Sequence, residues 1–174
     1  MTKYFTNTFS VINLYKKPSN KSGVVTQMIY GDSFSIIRRT ENWLKIKIKE
    51  DNYIGFINNR KFENYLRPTH KVNLLKTKVY KYPNKKKKIN ELSFGSKIRV
   101  IEKKSNFLKI QIGWLAKNDV KPISYKEKDP FRKISIFKNV KYKWGGKSFK
   151  GIDCSALIQV CLNFNNKFCP RDSK

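Results

Sequence analysis

The chain has 174 residues, enough for one ordinary domain or for two to three very small ones. Its 39% hydrophobic and 14% aromatic content points to a folded chain rather than a disordered polyelectrolyte, despite a net charge of +27. No apolar run approaches the length of a membrane span, and Met1-Thr2-Lys3-Tyr4-Phe5-Thr6-Asn7 lacks the apolar stretch of a secretory leader, so a cytoplasmic protein without a membrane segment is expected.

The charge comes from 39 Lys and Arg against 12 Asp and Glu, and it is mostly lysine spread along the whole chain. Such an excess attracts polyanions. Only Lys85-Lys86-Lys87-Lys88 forms a run, and no arginine-rich stripe or nucleic-acid motif accompanies it. A solvated lysine-rich surface is therefore the stronger reading, and nucleic acid is not an expected partner. Cys154, Cys161 and Cys169 are odd in number and include no Cys-x-x-Cys pair, which argues against a disulfide framework or a zinc site. No metal and no cofactor is expected.

The first two thirds of the chain contain a repeat. One copy runs through Leu14-Tyr15-Lys16-Lys17-Pro18, Gly31, Trp43-Leu44-Lys45-Ile46-Lys47-Ile48 and Tyr53-Ile54-Gly55-Phe56-Ile57. The other runs through Val79-Tyr80-Lys81-Tyr82-Pro83, Gly95, Phe107-Leu108-Lys109-Ile110-Gln111-Ile112 and Gly113-Trp114-Leu115. Tyr15 and Tyr80 are 65 residues apart, and Gly31 and Gly95, like Trp43 and Phe107, are 64 apart; Gly55 and Gly113 are only 58 apart. The second copy thus lacks the counterpart of Lys49 to Ile54 and should close in a tighter hairpin. A repeat this long signals duplicated small domains.

Within each copy the residues alternate apolar and polar, as in Leu44 to Ile48 and Leu108 to Ile112, the period of a half-buried strand. Phe34 to Ile37 and Ile98 to Ile101 read as the strands before these, entered through turns at Gly31 and Gly95. Several short strands per copy predict a small barrel, with Trp43 and Trp114 in its wall or core rather than serving as ligand platforms.

A boundary follows Pro122. Asp129-Pro130 is a helix-start signal and predicts a short helix over Phe131 to Phe137. Farther on, Leu157, Val160, Cys161 and Phe164 recur at helical spacing, with Asp153 placed to cap the helix and Gly151 to relieve the loop before it. Cys154 is then the first helical residue. The unpaired N–H groups and positive dipole end of a first turn favour thiolate over thiol, so this is a candidate nucleophile. A buried, inert thiol is the alternative. Cys161 faces the apolar side and reads as a small buried hydrophobe, and Cys169 has no evident role.

The order Leu-Tyr-x-x-Pro, Gly before a strand, Trp at a strand start and Tyr-x-Gly-Phe at the close resembles the bacterial SH3-like domain, over about residues 8 to 66 and more weakly over 72 to 121. The resemblance implies barrels that bind cell-wall peptide or shape an adjacent active site. Tyr142, Trp144, Gly145, Gly146, Gly151, Asp153, Cys154, Ser155, Leu157, Gln159 and the run Pro170-Arg171-Asp172-Ser173 resemble the NlpC-type papain-like cysteine peptidases of bacteria. That family hydrolyses amide bonds next to D-glutamate in wall peptides, commonly the γ-D-glutamyl–diamino acid bond. The expected partners are therefore murein peptides of the L-Ala-γ-D-Glu-diamino acid type. By the resemblance Cys154 attacks the carbonyl, Tyr142 helps hold the oxyanion, and Asp153 and Ser155 line the pocket for the peptide's free amino end. Ala156 stands where the family has glycine.

The expected fold is mainly β: two small SH3-like barrels over 1–66 and 67–122, then the truncated α+β start of a papain-like peptidase domain over 123–174. The family's base is a histidine several dozen residues after the cysteine. The one histidine here, His70, precedes the motif and reads as an exposed linker residue between the barrels. Two expectations stay open: a fragment carrying the nucleophile's half of a hydrolase and inactive as given, or a non-catalytic muropeptide-binding protein that uses the barrels.

Overall fold

The computed structural model describes residues 2–172. Alternation in the first copy produces seven antiparallel strands, β1 (Tyr4–Thr6), β2 (Val11–Tyr15), β3 (Val24–Ile29), β4 (Ser33–Arg39), β5 (Trp43–Ile48), β6 (Ile54–Asn58) and β7 (Glu63–Asn64). They form one sheet in the order β3-β2-β6-β5-β4-β1-β7. Every second residue of β5 points inward, so Leu44, Ile46 and Ile48 join Leu14, Met28, Phe34 and Ile57 in a closed core. Each such side chain contributes roughly 1.5–3 kcal/mol relative to exposure. Trp43 is a half-buried wall residue, edge-on to Tyr15 at 5.7 Å.

The second copy divides into two sheets. Strands β9 (Lys76–Tyr80), β10 (Lys88–Ser93), β12 (Glu102–Lys104), β13 (Phe107–Ile110) and β14 (Gly113–Ala116) form one, while β8 (His70–Val72), β11 (Lys97–Ile98) and β15 (Val120–Pro122) form the other. The strand expected over Ile98 to Ile101 is broken because the chain changes sheets there. Ile98 pairs with His70 in the small sheet and Glu102 with Lys109 in the large one. In between, the Val100 amide donates to Thr69 Oγ1 at 3.0 Å. Trp114 is a core residue, 8% exposed. As expected, the second hairpin is tight, with Ile110 opposite Gly113, whereas in the first Lys47 faces Ile54 across a longer turn.

His70 is not a linker residue. It lies in β8 between Ile98 and Pro122, half-buried, with Nδ1 2.9 Å from Thr69 Oγ1. Burial first, and then the Lys103 charge, push its pKa below the ordinary histidine value.

The two barrels meet through the turn after β3. Tyr30 joins the core of the second barrel, and the Lys97 amide donates to its carbonyl at 3.0 Å. Gly31 follows at φ +86, where an added Cβ would sit 1.9 Å from the Lys97 carbonyl oxygen, so only glycine fits this approach.

The remaining segment holds the hairpin β16 (Lys147–Ser148) and β17 (Gly151–Ile152) and the single helix α1 (Cys154–Phe164). The helix expected over Phe131 to Phe137 is reduced to a 3-10 turn at Ile134–Phe137. Asp129 does receive the Phe131 amide at 2.8 Å, as the start signal implied. However, Phe131 and Ile134 are exposed and only Phe137 is buried, so no apolar stripe holds a longer helix.

Phe137, Ile152, Ala156, Val160, Cys161 and Phe164 share a third core with Phe94, which the second barrel supplies. Phe94 stacks on Phe164 at 4.6 Å and meets Phe137 edge-on at 5.8 Å. The ammonium of Lys71 in β8 donates to the carbonyls of Phe164 and Tyr125, at the end of α1 where the helix dipole is negative. Burial first, then the Lys97 and Lys126 charges, bring the Lys71 pKa down to about 8.

Candidate active site

The position of Cys154 follows from one carboxylate. Asp153 has extended backbone, and its Oδ1 accepts the Ala156 amide at 2.9 Å, capping α1 so that Cys154 is the first helical residue. The Cys154 side chain is exposed. Asp153 Oδ1 also accepts from Ser155 Oγ at 3.2 Å and Arg171 Nη1 at 3.0 Å, while Oδ2 accepts from Arg171 Nη2 at 2.6 Å and the Gly145 amide at 2.9 Å. Gly145 can present that amide because it sits at φ +69, with the Val24 carbonyl oxygen 2.8 Å from where a Cβ would be.

Arg171 completes the network. It is 2% exposed, forks onto both Asp153 oxygens, and donates from Nε to Thr26 Oγ1 at 2.7 Å and from Nη1 to Ser155 Oγ at 2.5 Å. Burial works against the charged form of Asp153. The bonds from Arg171, Ala156 and Ser155 outweigh it and hold the carboxyl below its ordinary range. Two more contacts fix the segment to the first barrel. The Lys147 ammonium meets Asp32 at 3.3 Å, and Gln159 donates to Asp51 at 3.1 Å.

Cys154 opens onto a cleft of about 330 Å³ between this segment and the first barrel. Its walls are Tyr142, Trp144, Asp153, Ser155, Arg171 and Asp172 on one side and Val25 and Tyr53 on the other. All four site residues expected from the sequence, Cys154, Tyr142, Asp153 and Ser155, meet here. Tyr142 and Trp144 stand 65% and 75% exposed. Tyr142 is held by its bridge to Ile152, and Lys143 donates its amide to the Ile152 carbonyl at 3.2 Å.

The geometry divides the two carboxylates at the cleft. Both oxygens of Asp153 are taken by the protein itself, whereas Asp172 is exposed. Tyr53 lines the same cleft as Asp172, and burial first, then the Asp172 charge, raise its pKa above the ordinary value. Ser173, the last residue of the motif run, lies outside the described residues.

Tyr53 and Val25 carry no signal in the local sequence, because their place in the cleft depends on contacts between distant segments. Tyr53 does belong to the six residues that the second copy lacks. Of the other two thiols, Cys161 is buried and its pKa is pushed up to about 11, and burial followed by the Asp51 charge raises that of Cys169. His70 is not among the residues lining the cleft. Among the described residues, no group of three or more His, Cys, Asp or Glu side chains is placed to hold a metal ion.

Residues 14–61 match the family model described as the bacterial dipeptidyl-peptidase SH3 domain. The chain is 22% identical over 166 residues to the gamma-D-glutamyl-L-lysine dipeptidyl-peptidase of Bacillus subtilis (strain 168), covering 86% of this chain and 56% of that protein. It is also 22% identical over 183 residues to the protein of the same name from Bacillus cereus (strain ATCC 10987), covering 89% and 54%. The chain thus spans little more than half the length of the curated relatives it matches. A solved NlpC/P60 family protein from Bacillus cereus ATCC 10987 superposes with a TM-score of 0.81 at 18% identity, over 98% of this chain and 75% of that one. The chain therefore shares the fold of that protein, carries a bacterial dipeptidyl-peptidase SH3 domain at its N-terminus, and is distantly similar to γ-D-glutamyl-L-lysine dipeptidyl-peptidases.

Proposed function

We propose that this chain carries the nucleophile's half of a cysteine-peptidase site for bacterial wall peptides, directed at the γ-D-glutamyl–diamino acid bond of L-Ala-γ-D-Glu-diamino acid peptides. The observation that carries the reading is the exposed Cys154 at the first position of α1, set in a cleft with Tyr142 and two carboxylates. In this reaction the Cys154 sulfur adds to the amide carbonyl, and the carbonyl oxygen becomes an oxyanion within reach of the Tyr142 hydroxyl. The C–N bond then breaks, the amine leaves with a proton, and water cleaves the thioester.

Asp172 and Tyr53 receive the peptide's free ammonium, because the Asp153 carboxylate is already occupied by Arg171 and two backbone amides. Asp153 is then a positioning residue that fixes the helix start. Ser155, bonded to both Asp153 and Arg171, shapes the pocket floor.

The thiol needs a base, and no histidine lines the cleft. The 174-residue chain alone is therefore expected to release no diamino acid from L-Ala-γ-D-Glu-diaminopimelate while still binding it. Release that disappears in Cys154→Ser would overturn that expectation and show that these residues suffice. Absence of binding, followed by calorimetry up to millimolar peptide, would sink the peptide reading itself. The missing base also favours a second reading, a muropeptide-binding protein that uses the same cleft. Since Val25 and Tyr53 form one wall and Tyr142 to Asp172 the other, residues 1–122 alone should not bind.

A further inference from the structure

A second surface, separate from the Cys154 cleft, is built from all three parts of the chain. Three hollows of about 470, 330 and 240 Å³ follow one another, the first two joined at Arg60 and the last two at Lys150. The first adds Arg39 and Lys61, the second Lys143, and the third Lys88. All six cations are exposed. The single acid along the path, Glu91, is already held by Lys76 and Lys88, each at 3.4 Å. Among the described residues no other Asp or Glu lines the three hollows, and Asp32, Asp51, Glu127 and Asp153 are buried.

The rings along this groove are engaged. Phe62 is edge-on to Phe34 at 4.9 Å and to Phe9 at 6.0 Å, and Tyr15 is edge-on to Trp43 at 5.7 Å. Phe149 lies under the Lys76 and Lys150 ammonium groups at 5.3 and 5.9 Å. A single-stranded nucleic acid draws much of its affinity from bases stacked on free aromatic faces, and these rings do not offer such platforms. What the groove presents is a row of cations with polar Asn13, Asn58 and Asn59 between them.

We propose that this groove binds a linear phosphodiester polymer without bases, of the polyol-phosphate kind. Its recognition is electrostatic, one phosphate after another along the three hollows. Lys143, in the middle hollow, stands between Tyr142 and Trp144 of the Cys154 cleft. A bound polymer therefore passes beside the segment that carries Tyr142 and Trp144.

The test uses the full chain and a short poly(glycerol phosphate) oligomer, with binding followed by fluorescence anisotropy as salt is raised. Affinity should fall roughly a hundredfold or more between about 50 and 200 mM salt, as release of counterions from about six phosphate contacts requires. The pair Arg60→Glu and Lys150→Glu should weaken binding at least about tenfold. Lys85→Glu and Lys86→Glu, which change the charge equally but lie outside the groove, should weaken it less than about twofold. If circular dichroism shows the first pair misfolded, Arg60→Gln with Lys150→Gln replaces it, with at least about a threefold loss expected. Equal losses from both pairs would mean diffuse attraction to a cationic surface and would overturn the proposal. So would tighter binding of an oligothymidylate with the same number of phosphates, since the bases would then be read.

Discussion

The two barrels are copies with different duties. In both, the aromatic residue before the turn glycine leaves its own barrel. Tyr30 enters the core of the second barrel, and Phe94, 64 residues on, enters the core around α1. Repeated once, the same device joins three units in a row. The copies differ in the hairpin after β5. The first retains Lys49 to Ile54, and from it Glu50 meets Lys97 at 2.8 Å, Asp51 receives Gln159, and Tyr53 lines the Cys154 cleft. The second closes directly from Ile110 to Gly113; its turn residue Gln111 accepts the Tyr30 hydroxyl at 3.1 Å, and none of its residues lines the cleft. A few residues in a turn thus separate a barrel that is the wall of a site from one that is its foundation.

The sharpest way to break this comparison is Phe94→Ala, which removes the second barrel's plug and leaves a cavity under α1. It should cost about 3–5 kcal/mol and strip hydrogen-exchange protection from the α1 amides, while the β5 and β6 amides keep theirs. Exchange rising equally in both places would show that the units do not separate. Next in size is Asp153→Ala, which leaves the Arg171 guanidinium buried without its carboxylate, at a cost of about 3 kcal/mol in urea unfolding at neutral pH. Because the folded carboxyl is held below its ordinary range, its contribution is fully present above that range and is lost as pH falls through the folded value. The gap between wild type and variant should therefore close in acid.

Asp51→Ala tests the hairpin itself. It removes the acceptor of both Gln159 and the Tyr53 amide and should cost about 1–3 kcal/mol, together with a loss of peptide affinity larger than the stability change explains. Lys71→Met probes the second barrel's hold on α1. The Lys71 pKa of about 8 is below its unfolded value, so between pH 8 and 10 the unfolded chain binds more protons and wild-type stability gains with rising pH. The variant lacks that gain, and unfolding across this window checks it. Smallest is Tyr53→Phe, with stability unchanged within about 0.5 kcal/mol and peptide affinity down roughly three- to tenfold.

Much of this was legible in the sequence where the signal is local. Alternation located β5 and β13, and the changing spacing exposed the extra hairpin residues. A capping residue at the start of a helical apolar pattern put Cys154 at the first helical position. What stayed hidden depends on distant partners. Nothing near Arg171 says that it will reach Thr26, and nothing near Phe94 says that it will leave its barrel. The short helix at 131–137 failed for the complementary reason: its start signal was present, but its side chains had nothing to be buried against.

The bond from Arg171 to Thr26 spans 145 residues of chain and shares its guanidinium with the carboxylate that starts the helix. Timing follows from this. On a ribosome the barrels, whose contacts are comparatively local, are finished first. Cys154 emerges before the arginine that locks its helix start in place. Until that arginine arrives the thiol belongs to an unsettled segment, so the helix start that carries Cys154 is fixed only once Arg171 joins the carboxylate.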